Sequence, residues 1–265
     1  MRFMSENNEK EYGTFVHSAL FKLLMLYHDV CKKEDIRYSL YAGSMLGAVR
    51  HKGFIPWDDD IDIIMPRKEY LRFKKVVGKY LENTEYYFNH KGDRVAEINY
   101  KDGTLTFGGK KVSGMGLDIY IIDNLPDNAK ERKRFLFKLK MYQVMMKKGK
   151  INWKRYNFKG KLLVFGTRLL GAGRSLERIC DDYDALSQKY NGIATKQCFV
   201  SNDSYDWMKF CYDQEAFSEY ITVPFESGEA CILKNYDYFL KMEYGDYMKL
   251  PPEEERHFFH TWKED

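Results

Sequence analysis

Apolar residues recur at helical spacing over residues 15–34. Phe15, Ala19, Leu23, Leu26 and Val30 share one face and predict an amphipathic helix. Ile36–Tyr41 reads as a strand and Met45–Val49 as a short helix. Asp60–Met65 reads as a second strand closed by Pro66, followed by a helix over Arg67–Leu81. Tyr86–Phe88, Val95–Tyr100, Thr104–Phe107 and Leu117–Ile122 predict further strands, with turns at Lys91-Gly92-Asp93 and Asp102-Gly103. Residues 128–150 form a long basic helical pattern. Helical patterning resumes over 158–190, broken by Gly166, Gly171 and Gly173. Cys198–Ser201 and Ile221–Pro224 read as short strands, and Tyr236–Tyr244 as a helix stopped by Gly245. The fold class is α+β: a mixed sheet with flanking helices and a largely helical C-terminal extension. The expected division is 1–125 for a catalytic core and 126–265 for an extension that completes the substrate site, or one continuous domain.

Composition adds little to this picture. A chain of 265 residues with 44% hydrophobic and 31% charged residues buries an ordinary globular core. The aromatic share of 16% serves either a tyrosine-rich core or a surface for sugars and quaternary ammonium groups. The net charge of +4 is slight and spread out, so no nucleic-acid groove is expected, while an anionic small substrate suits it. The five cysteines are scattered without a Cys-x-x-Cys pair, which argues for reduced thiols and against a zinc site. The N-terminal residues lack an apolar signal core, and no run approaches the roughly 18 apolar residues of a membrane span. A cytoplasmic protein is expected, with peripheral contact at the inner membrane face left open.

The chemistry concentrates in residues 41–66, YAGSMLGAVRHKGFIPWDDDIDIIMP. Four carboxylates, Asp58, Asp59, Asp60 and Asp62, fall within five residues and repel one another unless a cation sits among them. Side chains alternate along a strand, so Asp60 and Asp62 share one face, opposite Ile61 and Ile63. Such a pair suits Mg2+, or Mn2+ in its place, because magnesium takes one or two carboxylates together with substrate phosphates. Gly43 and Ser44 let backbone N–H groups approach a phosphate. The short helix that follows points its N-terminus at the same place. These parts point to metal-assisted phosphoryl chemistry.

Gly-Ser followed some sixteen residues later by Asp-x-Asp resembles the nucleotidyltransferase superfamily. The longer string AGSMLGAVRHKGFIPWDDDIDI resembles the LicD family more specifically. Weaker resemblance continues at GMGLDIYIID (114–123) and KNYDYFLKMEYGDYMKLPP (234–252). The resemblance implies a nucleotidyltransferase-like core and an enzyme that moves phosphocholine, or a related phospho-alcohol, onto a cell-surface glycan. It implies a nucleotide-activated donor such as CDP-choline and a glycan or lipid-linked glycan acceptor of teichoic-acid or lipopolysaccharide type. It also implies a third carboxylate from a neighbouring strand. Asp118 is the candidate, as a third metal ligand and as the group that takes the proton from the attacking hydroxyl. Asp123 is its rival but reads as a turn former beside Asn124 and Pro126. Arg50, His51 and Lys52 are placed near the donor, with Arg50 suited to a forked phosphate contact.

Several residues keep two readings. His51 is a site residue or a surface histidine. Trp57 stacks on a base or bound alcohol, or anchors its loop. Asp58 and Asp59 bond loop N–H groups or pair with Arg50 or Arg67. Arg256, His257 and His260 line an acceptor groove or form a polar tail. The segment Lys159–Arg178, basic and amphipathic, lies on an anionic membrane or packs on the domain with its basic face in water. Three functions compete: phospho-alcohol transfer, with ribitol phosphate an alternative to phosphocholine; nucleotidyl transfer from a nucleoside triphosphate; and non-catalytic binding on a degenerate scaffold.

Overall fold

The computed structural model describes residues 6–90, 95–102, 105–112, 115–146, 157–171, 173–208 and 210–258. The expected turn at Lys91-Gly92-Asp93, the positions Gly103, Thr104 and Gly114, the helix end at 147–150, and His260 lie outside these residues. In chain order the first half comprises α1 (Glu6–Lys33), β1 (Ser39–Leu40), α2 (Ala42–Arg50), β2 (Ile61–Pro66), α3 (Arg67–Leu81), β3 (Tyr86–Asn89), β4 (Ala96–Tyr100), β5 (Thr106–Phe107), β6 (Lys110–Lys111) and β7 (Gly116–Leu125). Then come α4 (Ala129–Met146), α5 (Phe158–Leu170), α6 (Leu176–Ser187), β8 (Gln197–Val200), α7 (Tyr205–Met208), β9 (Tyr212–Asp213), β10 (Tyr220–Phe225), β11 (Gly228–Leu233) and α8 (Tyr236–Tyr244). Sheet and helices together bear out the α+β class.

Two compact units emerge, and their limits differ from the expected 1–125 and 126–265. The first takes residues 1–89, 96–121 and 216–265; the second takes 90–95 and 122–215. The last fifty residues therefore return to the unit that holds Gly43, Ser44 and the aspartates.

In the first unit the strand order is β1-β2-β7-β4-β3. β1 runs antiparallel to β2, with Leu40 opposite Ile63, and β4 runs antiparallel to β7, with Glu97 opposite Asp118. α1 buries Leu20, Leu23, Leu24 and Tyr27 completely or nearly so. Tyr27 meets Tyr38 edge-on at 5.0 Å and Phe73 of α3 at the same distance. Tyr100 Oη donates to the Ala19 carbonyl at 2.9 Å, tying β4 to α1. The β10–β11 hairpin, of which the sequence pattern gave only the first strand, docks on β1: Leu233 N–H donates to the buried Ser39 Oγ at 2.9 Å. α8 ends at Gly245, whose φ of 65° is open to glycine at little cost.

The second unit packs Phe135 and Leu139 of α4 with Tyr183 of α6, Tyr190, Phe199 of β8 and Met208 of α7 around Leu125. Buried Gln143 donates to the Asp203 carbonyl at 2.8 Å and to Tyr183 Oη at 3.1 Å, so its amide is satisfied.

Three local expectations need correction. The expected strand Ile36–Tyr41 shortens to Ser39–Leu40; Tyr41 adds one bond to the Asp62 carbonyl as the chain turns into α2. Gly166 lies inside α5 and does not break it. Asp123 is not a turn former: it is a fully buried residue of β7 opposite Phe199, and Asn191 Nδ2 donates to its Oδ1 at 2.5 Å. A paired carboxylate is tolerated inside a strand where an unpaired one is not.

Candidate active site

α2 starts at the Gly-Ser pair rather than after it. Tyr41 occupies the N-cap position, extended and without a side-chain cap bond, so Ala42, Gly43 and Ser44 form the first turn. A helix N-terminus left open in this way attracts negative charge. Ala42 holds φ at 44°, in the left-handed region that costs a β-carbon about 1–2 kcal/mol. Backbone strain of this kind gathers at functional sites.

The acidic run is fastened to that turn at two points. A Cβ placed on Gly43 would lie 2.8 Å from Asp58 Oδ2, so the carboxylate rests where any other residue would carry its side chain. One residue on, the buried Ser44 Oγ accepts the backbone N–H of Asp62 at 3.0 Å. Tyr41 N–H in turn donates to the Asp62 carbonyl at 2.8 Å. The two halves of the motif, eighteen residues apart between Ser44 and Asp62, thus form one structural piece.

Asp60 precedes β2 by one residue, and Asp62 is its second residue. Asp62 is half-buried between the fully buried Ile61 and Ile63, so it faces the open side of the strand as expected. Asp58, read from the sequence as a partner of loop N–H groups or of Arg50 or Arg67, joins this cluster as well. Its carboxyl bonds that of Asp60 and accepts the N–H of Asp59. Burial, reinforced by the Asp60 charge, pushes the Asp58 carboxyl up to about 8. Asp59 is buried and faces Tyr12 and His17, whose titration its charge affects. His17 Nε2 meets the Asp58 carbonyl at 2.8 Å and its ring stacks on Phe54 at 4.6 Å, which pins the loop to α1.

Asp118 lies on β7, the strand beside β2. It is half-buried between the fully buried Leu117 and Ile119. Tyr120, two residues on and on the same strand face, meets the Tyr41 ring at 5.1 Å. Since Tyr41 bonds Asp62, this contact brings the face that carries Asp118 beside the acidic turn.

A cationic and aromatic wall flanks the carboxylates. Arg50 Nη1 donates to the Tyr247 carbonyl at 2.9 Å and its Nε donates to His51 Nε2 at 2.9 Å. His51 therefore accepts through Nε2 as a neutral ring. Burial first, then the Arg50 charge, lowers its pKa below the usual histidine range. Its ring meets Trp57 edge-on at 6.3 Å, and the Arg256 guanidinium lies over Trp57 at 5.6 Å. Arg256 also carries enough charge towards Arg50 to help lower that residue's pKa, after burial. Lys52 is exposed, with φ at 59°, and its carbonyl accepts the Glu226 N–H at 2.8 Å; its backbone anchors the loop to the β10–β11 turn.

Arg256, read from the sequence as lining an acceptor groove or forming a polar tail, lies against Trp57. One residue enters the site that sequence reasoning left aside: Tyr244, at the end of α8. Part of its ring is exposed, yet its hydroxyl is held well above the usual tyrosine range. Burial is the first cause, followed by the charges of Glu243, Asp62, Asp58 and Asp60. The signal was present in the Tyr-Gly-Asp-Tyr segment, but nothing in the spacing says that α8 returns to the aspartates.

Among the described residues, no group of three or more His, Cys, Asp or Glu side chains is arranged to hold a metal ion. The donor chemistry nevertheless fits a hard cation: two carboxyls in contact, one holding a proton up to about 8, are what an acidic pair becomes without positive charge between them.

Comparison with known proteins identifies the family. The family model described as LicD/FKTN/FKRP, nucleotidyltransferase domain, matches residues 35–163. The chain is 30% identical over 248 residues to the lipopolysaccharide cholinephosphotransferase LicD of Haemophilus influenzae, covering 88% of this chain and 90% of that protein. Shorter matches reach uncharacterised proteins of Rickettsia typhi, 36% identical over 23% of this chain and 20% of that protein, and Rickettsia prowazekii, 32% identical over 29% of this chain and 30% of that protein. With a relative matched along nearly its whole length and the motif assembled around one helix N-terminus, the chain belongs to the LicD family.

Proposed function

We propose that the protein transfers phosphocholine from CDP-choline to a hydroxyl of a cell-surface glycan precursor, of teichoic-acid or lipopolysaccharide type, and releases CMP. The observation that carries the transfer chemistry is the joint between the open N-terminus of α2 and the Asp58–Asp60–Asp62 run. Choline as the alcohol is supported by the cholinephosphotransferase relative. The reaction is assigned to the cytoplasm, with export of the product afterwards.

In this reading Asp60 and Asp62, with Asp118 from β7, hold Mg2+. When bound, the ion neutralises charge on the donor diphosphate and on the departing CMP. The first-turn N–H groups of α2 receive a phosphate oxygen. Arg50, whose guanidinium is fixed by Tyr247 and His51, turns a planar donor edge to the diphosphate. Asp118 accepts the proton of the acceptor hydroxyl as that oxygen attacks the distal phosphorus. The bond from that phosphorus to the bridging oxygen breaks, and the electron pair leaves with CMP. Trp57, which already carries a guanidinium on its face, offers the kind of surface a quaternary ammonium group prefers.

Calorimetric titration of the protein with CDP-choline, CDP-ribitol, CTP and ATP, each with Mg2+, tests this. An Asp60→Asn/Asp62→Asn variant serves as control. Selective binding of CDP-choline that the double variant loses is the expected result. Preference for CDP-ribitol keeps the reaction and changes the alcohol. Binding of a nucleoside triphosphate alone replaces the proposal with nucleotidyl transfer.

A further inference from the structure

The basic amphipathic segment after residue 158 was expected either to meet a membrane or to pack with its basic face outward. The packed alternative does not hold for the apolar stripe, which α5 turns away from the second unit. Phe158, Leu162, Phe165 and Leu169 are 81%, 64%, 63% and 69% exposed. Their spacing of four, three and four residues places them on one helix face. The opposite face is the packed one. Val164 and Thr167 are each 1% exposed, and a Cβ on Gly171 would lie 3.3 Å from Met145 Cγ of α4. The helix is therefore seated on α4 in a fixed rotation, and the exposed stripe is a consequence of that packing. Four large side chains lining about 20 Å of helix form more apolar surface than isolated exposed residues account for.

Charge selects the occupant. From Lys147 to Arg174 the chain carries nine Lys and Arg residues and no Asp or Glu. The same stretch holds Trp153 and Tyr156, residue types that favour the boundary between water and acyl chains. Lys161 and Phe158, at the N-terminal end of α5, are both exposed. An apolar stripe within a purely cationic segment suits a surface that is apolar inside and anionic outside. A second copy of this chain would bring a segment of the same positive charge against the first, which disfavours it as the occupant. Among the described residues no helix is long and apolar enough to cross a membrane, so insertion is interfacial.

We propose that α5 docks the protein on an anionic phospholipid surface, with Phe158, Leu162, Phe165 and Leu169 entering the headgroup boundary. The binding is independent of the identity of the donor and acceptor.

Flotation of the full chain with vesicles provides the test, using neutral phosphatidylcholine and the same lipid with about a third phosphatidylglycerol. The expected result is partition to the anionic vesicles about tenfold or more above the neutral ones, weakened in about 1 M salt. A Leu162→Glu/Phe165→Glu variant should lose that partition by about tenfold or more while melting as the wild type does, since neither side chain is packed. CDP-choline binding by the same variant should be unchanged, which separates a failure here from a failure of the transferase reading. Equal partition of wild type and variant, or absence of the wild type from anionic vesicles, overturns the proposal. So does a wild-type dimer that the variant converts to monomer, because the stripe is then an interface between copies.

Discussion

Ser44 accepts the backbone N–H of Asp62 through its hydroxyl at 3.0 Å, while its neighbour Gly43 leaves room for the Asp58 carboxylate. Gly and Ser therefore do separate work: one removes a side chain, the other holds a strand end. Ser44→Ala leaves a largely enclosed N–H without its acceptor and should cost about 1–3 kcal/mol in denaturant unfolding. Gly43→Ala drives a methyl to 2.8 Å from Asp58 Oδ2 and must displace the acid. Its expected signature is a loss of transfer rate of about tenfold or more with a smaller change in stability. Equal stability and equal rate for Gly43→Ala would show that the Asp58 position does not matter.

Much of this joint was legible in the sequence because it is local. Alternation along β2 gave the facing of Asp62, and the Gly-Ser to Asp-x-Asp spacing pointed to the two segments that meet at Ser44 and Asp62. α3 and α8 were found with their observed ends because their apolar spacing and boundary residues, Pro66 before α3 and Gly245 after α8, are written beside the segments. What was not legible depends on chain return. Tyr244 reaches the aspartates and Arg256 reaches Trp57 only because the last fifty residues fold back onto the first unit. Asp123 was misplaced because its partner, Asn191, lies 68 residues away and leaves no local mark.

On the proposed reading, in which Asp60 holds a divalent cation, the Asp58–Asp60 pair ties cation binding to proton release. With its carboxyl pushed up to about 8, Asp58 is mostly protonated at neutral pH in the metal-free protein. A divalent cation entering beside Asp60 favours the ionised form, so binding must expel that proton. Calorimetric Mg2+ titration at about pH 7 in two buffers of different ionisation enthalpy should give heats that differ by up to about one proton's worth. Asp60→Asn should reduce both the affinity and the released fraction. Identical heats in the two buffers would separate the cation site from this pair.

Tyr244 is kept neutral by burial and by the surrounding carboxylates, so its hydroxyl remains a hydrogen-bond donor across the working pH range. Tyr244→Phe removes that donor and little packing. Transfer activity is expected to fall by about tenfold, with the melting temperature close to wild type and the pH profile unchanged in its basic limb. A new basic limb, or none of the rate loss, would exclude a donor role at the site.

His17 links the acidic loop to α1, and its titration should appear in stability. Burial lowers its pKa below the usual histidine value. The bond to the Asp58 carbonyl and the charges of Glu226 and Asp59 oppose that shift without cancelling it. As pH falls, the unfolded chain takes up this proton first, at about 6.5, and the folded chain only further down. Stability contributed by the neutral ring is thus complete above about pH 6.5 and declines as pH drops through the folded-state value. His17→Gln keeps a donor for the Asp58 carbonyl but cannot titrate, so comparison isolates the effect from the other five histidines. The two proteins should melt in parallel from about pH 7 to about pH 8, with the wild type falling below the variant's trend towards about pH 5. Parallel behaviour over the whole range would mean that His17 is as free to protonate in the fold as out of it.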